Sequence, residues 1–134
     1  MILTIAVDAN PILAALLGGY ARIILFDPRF SFITTEFTTL EVQRYLPLIS
    51  EKSGVPHHEL EEALRLLPIK VFKRFVYRLT LDEAHRHIGH IDPNDTDILA
   101  LALCMDAPLW SNDIHFTKIK PLTIKILRTR DFIL

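Results

Sequence analysis

Short apolar runs, several of them rich in β-branched residues, alternate along this chain with segments of helical period, and that alternation most limits the folds open to it. Ile2 to Val7 is the first run. Asn10-Pro11 then opens a helix closed by Gly18-Gly19, with proline at the first helical position and glycine at the end. A second helix covers about 20–26, Asp27-Pro28 marks a turn, and Ser31 to Thr34 reads as a second strand. A threonine-rich start leads into a helix from about Glu36 to Leu46, stopped by Pro47, and His57 to Leu67 is another, stopped by Pro68. Ile69 to Phe72 is the third strand, helical period returns through Ala84 to Ile88, and Asp92-Pro93 caps a helix running to about Met105. Leu109 to Ser111 and Ile124 to Leu127 complete five short strands. Strands alternating with helices predict an α/β fold, a parallel sheet with helices on both faces in three layers.

The 134 residues suit a single domain spanning 1–134. A chain of this length buries roughly two thirds of its unfolded surface, so it needs no disulfide or metal merely to fold. Half of the residues are hydrophobic and 23% are charged, which excludes a disordered chain and a nucleosome-like basic binder. The single cysteine, Cys104, excludes a disulfide scaffold and a cysteine-cluster zinc site, and it fits a reducing cytosol. From Met1 to Ala21 the only charge is Asp8, yet no Lys or Arg precedes the apolar stretch as a signal peptide requires. Asp8, Asn10 and Pro11 interrupt it far short of the roughly 20 residues of a membrane span. A soluble, cytoplasmic protein without membrane contact is therefore expected.

The net charge of −1 hides a segregation. Leu66 to Leu79 carries Lys70, Lys73, Arg74 and Arg78 with no acid, and Ile114 to Leu134 carries five bases and one acid, so each segment is +4. They serve equally as solvated faces or as basic flanks that steer a polyanion toward an acidic centre.

Candidate acidic residues fall at particular places. Asp8 and Asp113 each follow a strand at its carboxyl end, where open parallel sheets bind ligands. If the first and fourth strands are neighbours, both face one crevice; each is otherwise an ordinary turn aspartate. Glu41 shares a helix face with Phe37, Tyr45 and Leu48, an environment costly for a carboxylate unless it is paired or metal-bound. A capping box from Thr38 to Glu41 explains it only if the helix begins late. Asp92 is a sound N-cap for the helix that follows, with Pro93 at its first position and Asp95 three residues past the cap. That helix is apolar on all sides, hence buried, and Asp95 shares a face with Ile98, Leu99 and Ala102.

In their order and spacing these segments resemble the PIN domains, metal-dependent ribonucleases that include VapC-type toxins. The resemblance rests on V-D-A-N at Val7 to Asn10, T-T-E-F-T-T-L-E-V at Thr34 to Val42, D-P-N-D-T-D-I-L-A-L-A at Asp92 to Ala102 and L-W-S-N-D-I-H-F at Leu109 to Phe116. It covers nearly the whole chain; each motif alone is weak and the ordered set is fairly specific. It implies a five-stranded parallel sheet of order 3-2-1-4-5, acidic ligands at Asp8, Glu41, Asp95 and Asp113, and polar support from Ser111, with Asn10 as a second support. The family register selects Asp95 over Asp97. It further implies an RNA substrate, a small antitoxin partner and a homodimer. One departure is Ser111-Asn112-Asp113, where many members carry Thr, a variable residue and Asp; the loop from Pro47 to Pro56 has no usable motif.

The chemistry agrees. Converging carboxylates raise one another's pKa and need a cation to stay ionised together. Oxygen donors select hard ions, so Mg²⁺ or Mn²⁺ is the expected cofactor. Lys73, Arg74 and Lys118 are the candidate phosphate contacts. Among six histidines, His85 and His87 point to different sides of a helix, and only His87 and His90 have a spacing that converges, so a histidine metal site is not expected. His115 is the one histidine near the acidic crevice, as a substrate contact or as surface decoration. Haloacid-dehalogenase-type phosphatases need a second aspartate where Asn10 stands, and response regulators need an acceptor aspartate where Phe72 and Lys73 stand. The remaining alternative is a catalytically silent PIN-like module that binds RNA or a protein partner.

Overall fold

In the computed structural model, which describes residues 2–133, strand β1 (Leu3–Val7) turns at Asp8 directly into helix α1 (Ala9–Leu16). The chain continues through α2 (Tyr20–Leu25), β2 (Phe30–Thr35), α3 (Glu36–Ser53), α4 (His57–Leu66) and β3 (Ile69–Phe72). Two short helices, α5 (Arg74–Tyr77) and α6 (Leu81–Ala84), precede α7 (Thr96–Met105), β4 (Leu109–Trp110) and β5 (Ile126–Leu127). All strand pairs are parallel, in the order β3-β2-β1-β4-β5. The chain first builds outward from β1 through β2 to β3 and then crosses to the other side of β1. The crossover puts a switch point between β1 and β4, where Val7 pairs with Trp110.

The strands are buried on both faces, so their side chains alternate between two apolar layers. Ile5, Val7, Phe32 and Trp110 pack under α1 to α4, while Ala6, Ile33 and Leu109 pack under α7. Trp110 is fully buried, with ring centroids 5.6 Å from Phe32 and 4.9 Å from Phe132. Helix α7 is buried from Thr96 to Ala102, as its all-round apolar sequence requires. No helix among the described residues is long and apolar enough to cross a membrane.

Several boundaries differ from the sequence expectations. Helix α1 begins at Ala9 with Asp8 as its cap, so Pro11 is its third residue, not its first. Helix α3 does not stop at Pro47 but runs on to Ser53. Pro47 lies on the exposed side, where water can satisfy the carbonyl that loses its partner, and the buried stripe Thr38, Val42 and Leu46 holds the helix in place. It ends at Gly54, whose φ of 77° is the left-handed conformation glycine supplies. The helical segment expected over 84–88 is α6 followed by a π-helical turn, His85–Gly89. A 3₁₀ turn, Pro93–Asp95, separates the Asp92 cap from α7. Strand β4 ends at Trp110, so Ser111 lies in the loop beyond it.

Candidate active site

Four segments meet near the carboxyl ends of β1 and β4: the β1–α1 turn, α3, the turn before α7 and the loop after β4. Asp8 ends β1 at 3% exposure: its Oδ1 accepts from the Ala9 N–H at 2.8 Å and its Oδ2 accepts from the Ser111 hydroxyl at 2.7 Å. The Ser111 Oγ also accepts from the Asp113 N–H at 3.1 Å, so one hydroxyl ties the two strand-end aspartates together. Asp113 caps a 3₁₀ turn, Ile114–Thr117, its Oδ1 accepting from the His115 N–H at 2.9 Å. Asn10 Oδ1 accepts from the Asn112 N–H at 3.2 Å and so braces the same loop.

From the opposite side come Glu41 of α3 and the turn before α7. A cleft of about 280 Å³ is lined by Asp8, Asn10, Glu41, Asp92, Asp95 and Asp113, with Leu13 and Tyr45 at its apolar side. The four expected acids therefore open onto one cavity. Glu41 does not cap α3; Thr35 does, its Oγ1 accepting from the Thr38 N–H at 2.8 Å. The apolar residues that share its face are not core either, since Tyr45 is 47% and Leu48 45% exposed. Of these, Tyr45 lines the same cleft as Glu41.

Electrostatics follow from this crowding. Burial raises the pKa of Asp8 to about 6, with the Ser111 and Ala9 hydrogen bonds opposing the rise and the Asp113 and Asp92 carboxylates adding to it. Glu41 is raised to about 7, again chiefly by desolvation and then by the Asp8 and Asp92 charges, with Arg44 opposing. Asp95, 4% exposed, is raised by burial and by the neighbouring Asp8 and Asp113. Its Oδ2 is buried without a hydrogen-bond partner among the described residues, a state it shares only with Thr96 Oγ1.

Two residues join the cluster that the sequence reading did not count among the ligands: Asp92, read as a helix cap, and His115, placed near the crevice as a substrate contact or surface decoration. Asp92 caps the turn through its Oδ1, which accepts from the Asn94 N–H at 3.0 Å, while its Oδ2 lies 3.0 Å from His115 Nδ1. The cap sufficed to explain Asp92, so nothing in the spacing demanded a second role. Among the described residues, Asp92, Asp95, Asp113 and His115 form a set whose donor atoms all lie within 4.8 Å of one another. Asp8 and Glu41 line the cavity without belonging to that tight set. Among the described residues, no group of three or more potential metal ligands includes His87 or His90, and His87 lies 3.9 Å from Glu83.

Asp97 points away from the cavity. It accepts from Arg74 Nε at 3.0 Å and Nη2 at 2.9 Å, and from the Tyr77 hydroxyl at 2.5 Å. Arg74, expected to meet substrate, is thus committed to a bidentate pair. Lys73 caps α5 just past the carboxyl end of β3, and Lys118 follows the turn after β4; both are exposed and pair with no carboxylate among the described residues.

Fold and crevice together define an α/β/α domain with an acidic centre at the carboxyl edge of its parallel sheet. The PIN domain sequence profile matches residues 6–130, and the chain belongs to that family. Several solved structures share the fold at low identity. VapBC2 from Rickettsia felis, crystallised with a promoter DNA fragment, is 17% identical with a TM-score of 0.61, covering 94% of this chain and 98% of that one. PAE2754 from Pyrobaculum aerophilum is 16% identical with a TM-score of 0.64, covering 97% and 92%. VapBC-1 from nontypeable Haemophilus influenzae is 15% identical with a TM-score of 0.62, covering 96% and 99%. No curated protein is significantly similar in sequence.

Proposed function

We propose that this chain is a divalent-cation-dependent endoribonuclease and the toxin of a toxin–antitoxin pair. The observation that carries the reading is the partnerless, buried Oδ2 of Asp95, opening into a cleft with four further carboxylates. A buried polar atom without a partner is costly, and like charges at this density repel; a cation relieves both. The donors are mostly carboxylate oxygens, which fits Mg²⁺ or Mn²⁺. Membership of the PIN family supports nuclease chemistry. The similarity to the VapBC2 and VapBC-1 structures supports a small antitoxin as partner.

In this reading Asp8, Glu41, Asp95 and Asp113 hold the cation, and Ser111 fixes Asp8 and Asp113 relative to each other through its two hydrogen bonds. A bound divalent ion supplies a polarised water and stabilises charge on the phosphate and leaving oxygen. Lys73 and Lys118, on either side of the sheet edge, meet backbone phosphates of RNA. A second copy of the chain covers the apolar side of α2, where Tyr20, Ile23 and Phe26 are exposed.

Attack by water leaves the 2′-hydroxyl uninvolved, so single-stranded RNA should yield 5′-phosphate and 3′-hydroxyl ends. Cleavage should stop in EDTA and return with Mn²⁺. A 2′,3′-cyclic phosphate product, or undiminished cleavage in EDTA, overturns the mechanism.

A further inference from the structure

We infer that the cation site is a mixed nitrogen–oxygen site, in which His115 Nδ1 and Asp92 are ligands beside Asp95 and Asp113, and that it therefore prefers Mn²⁺ to Mg²⁺. This rests on the cation-dependent reading above and revises its ligand set: Asp92 and His115 join Asp95 and Asp113 at the ion, and Asp8 and Glu41 line the cleft beside it.

The spacing of the donors is the first support. His115 Nδ1 lies 3.0 Å from Asp92 Oδ2, 3.1 Å from Asp113 Oδ1 and 3.7 Å from Asp95 Oδ2. Adjacent ligands on an octahedral ion with bonds of about 2.1 Å stand about 3 Å apart. The second support is independent of that spacing: Asp95, a side chain only 6% exposed, has an oxygen in this cluster with no hydrogen-bond partner. A hydrogen on Nδ1 can make one good bond to one carboxylate, whereas three carboxylates surround that nitrogen. A divalent ion held by the nitrogen and the three oxygens serves all of them at once.

The ring is placed for the task by its own backbone. Its N–H donates to Asp113 Oδ1 at 2.9 Å, so ring and carboxylate belong to one capped turn. Asp92 is fixed from the other side by the Asn94 N–H. Coordination needs the neutral tautomer with hydrogen on Nε2, and a ring that is 34% exposed exchanges that proton with water. Imidazole nitrogen suits first-row transition metals, whereas Mg²⁺ keeps oxygen ligands and its own waters.

The test is pulsed EPR of Mn²⁺ bound to the full chain. Nitrogen coupling from one imidazole is expected, and labelling the histidines with ¹⁵N should change it without altering any residue. In His115→Gln the coupling should vanish, and Mn²⁺ affinity should fall by about tenfold or more. Mg²⁺ affinity, read by competition with Mn²⁺, should change much less. Tight Mn²⁺ binding without nitrogen coupling in the unaltered chain overturns the nitrogen ligand but leaves the carboxylate site standing. Failure of the unaltered, folded chain to bind Mn²⁺ overturns both.

Discussion

A carboxylate that is 4% exposed and leaves one oxygen without a partner works against folding, so ionised Asp95 has a cost that a proton or a cation must offset. Asp97, two residues on, is equally buried but satisfied by Arg74 and Tyr77. The two substitutions should therefore part company. At pH 8 in EDTA, Asp95→Asn should unfold at the same temperature as the unaltered chain or higher, because the amide, unlike the carboxyl, cannot ionise beside Asp8 and Asp113. Mn²⁺ should raise the melting temperature of the unaltered chain and not that of Asp95→Asn, whose RNA cleavage should fall by orders of magnitude. Asp97→Asn should respond to Mn²⁺ normally and keep most activity. Stabilisation of Asp95→Asn by Mn²⁺ equal to that of the unaltered chain counts against Asp95 as a ligand. At this scale the sequence carried Asp8, Asp113 and Glu41 through their places on strand ends and a helix face. It carried Asp95 only through family register, since both faces of α7 are apolar. It placed His115 near the crevice but not among the ligands, because the approach of its ring to Asp92 depends on a 3₁₀ turn meeting a loop 23 residues earlier.

Elements here are held by polar pins as well as apolar faces. Helix α5 has only four residues, too short to persist alone, and its Arg74 and Tyr77 fasten it to the first turn of α7 through Asp97. Arg74→Ala breaks two charge-assisted hydrogen bonds, although the arginine side chain is 60% exposed and partly screened. A loss of about 1–2 kcal/mol is expected from urea unfolding. Lys73→Ala, one residue away and unpaired, should cost under about 0.5 kcal/mol and yet weaken RNA binding in a salt-dependent way. Equal losses of stability in the two variants would remove the pin. This division was not legible beforehand, because Lys73 and Arg74 are adjacent bases in one +4 segment and only the fold brings Asp97 to one of them. Pro47 misled for a related reason. A proline ends a helix by local chemistry, but in α3 the buried Val42 and Leu46 and the packing against α4 outweigh that local cost.

For the whole molecule, strand alternation made the parallel sheet legible, but the order 3-2-1-4-5 came from the PIN resemblance, since no local pattern says which side of β1 the later strands join. That order decides the function of the sheet edge. It places the ends of β1 and β4 side by side and gathers acids from four separate segments into a single cleft. The gathering has a global consequence for stability. Asp8 and Glu41 titrate at about 6 and about 7 in the folded chain, against ordinary values of 3.8 and 4.5, and Asp95 is raised as well. A carboxyl with a raised folded pKa binds its proton more tightly folded than unfolded. Its contribution to stability is full below the unfolded value and is lost as pH rises through the folded one. Without a divalent ion, stability should therefore fall from pH 4 to 8. Asp8, being buried, accounts on its own for about 2 kcal/mol of the fall, or several degrees in melting temperature. Mn²⁺ binds the ionised carboxylates and competes with their protons, so its stabilisation should be small at pH 5 and grow toward pH 8. Thermal melts at pH 5 and pH 8, each with EDTA or excess Mn²⁺, check both slopes. A melting temperature in EDTA that climbs between those pH values, or a Mn²⁺ effect larger at pH 5, contradicts a cleft whose acids share too few counter-charges.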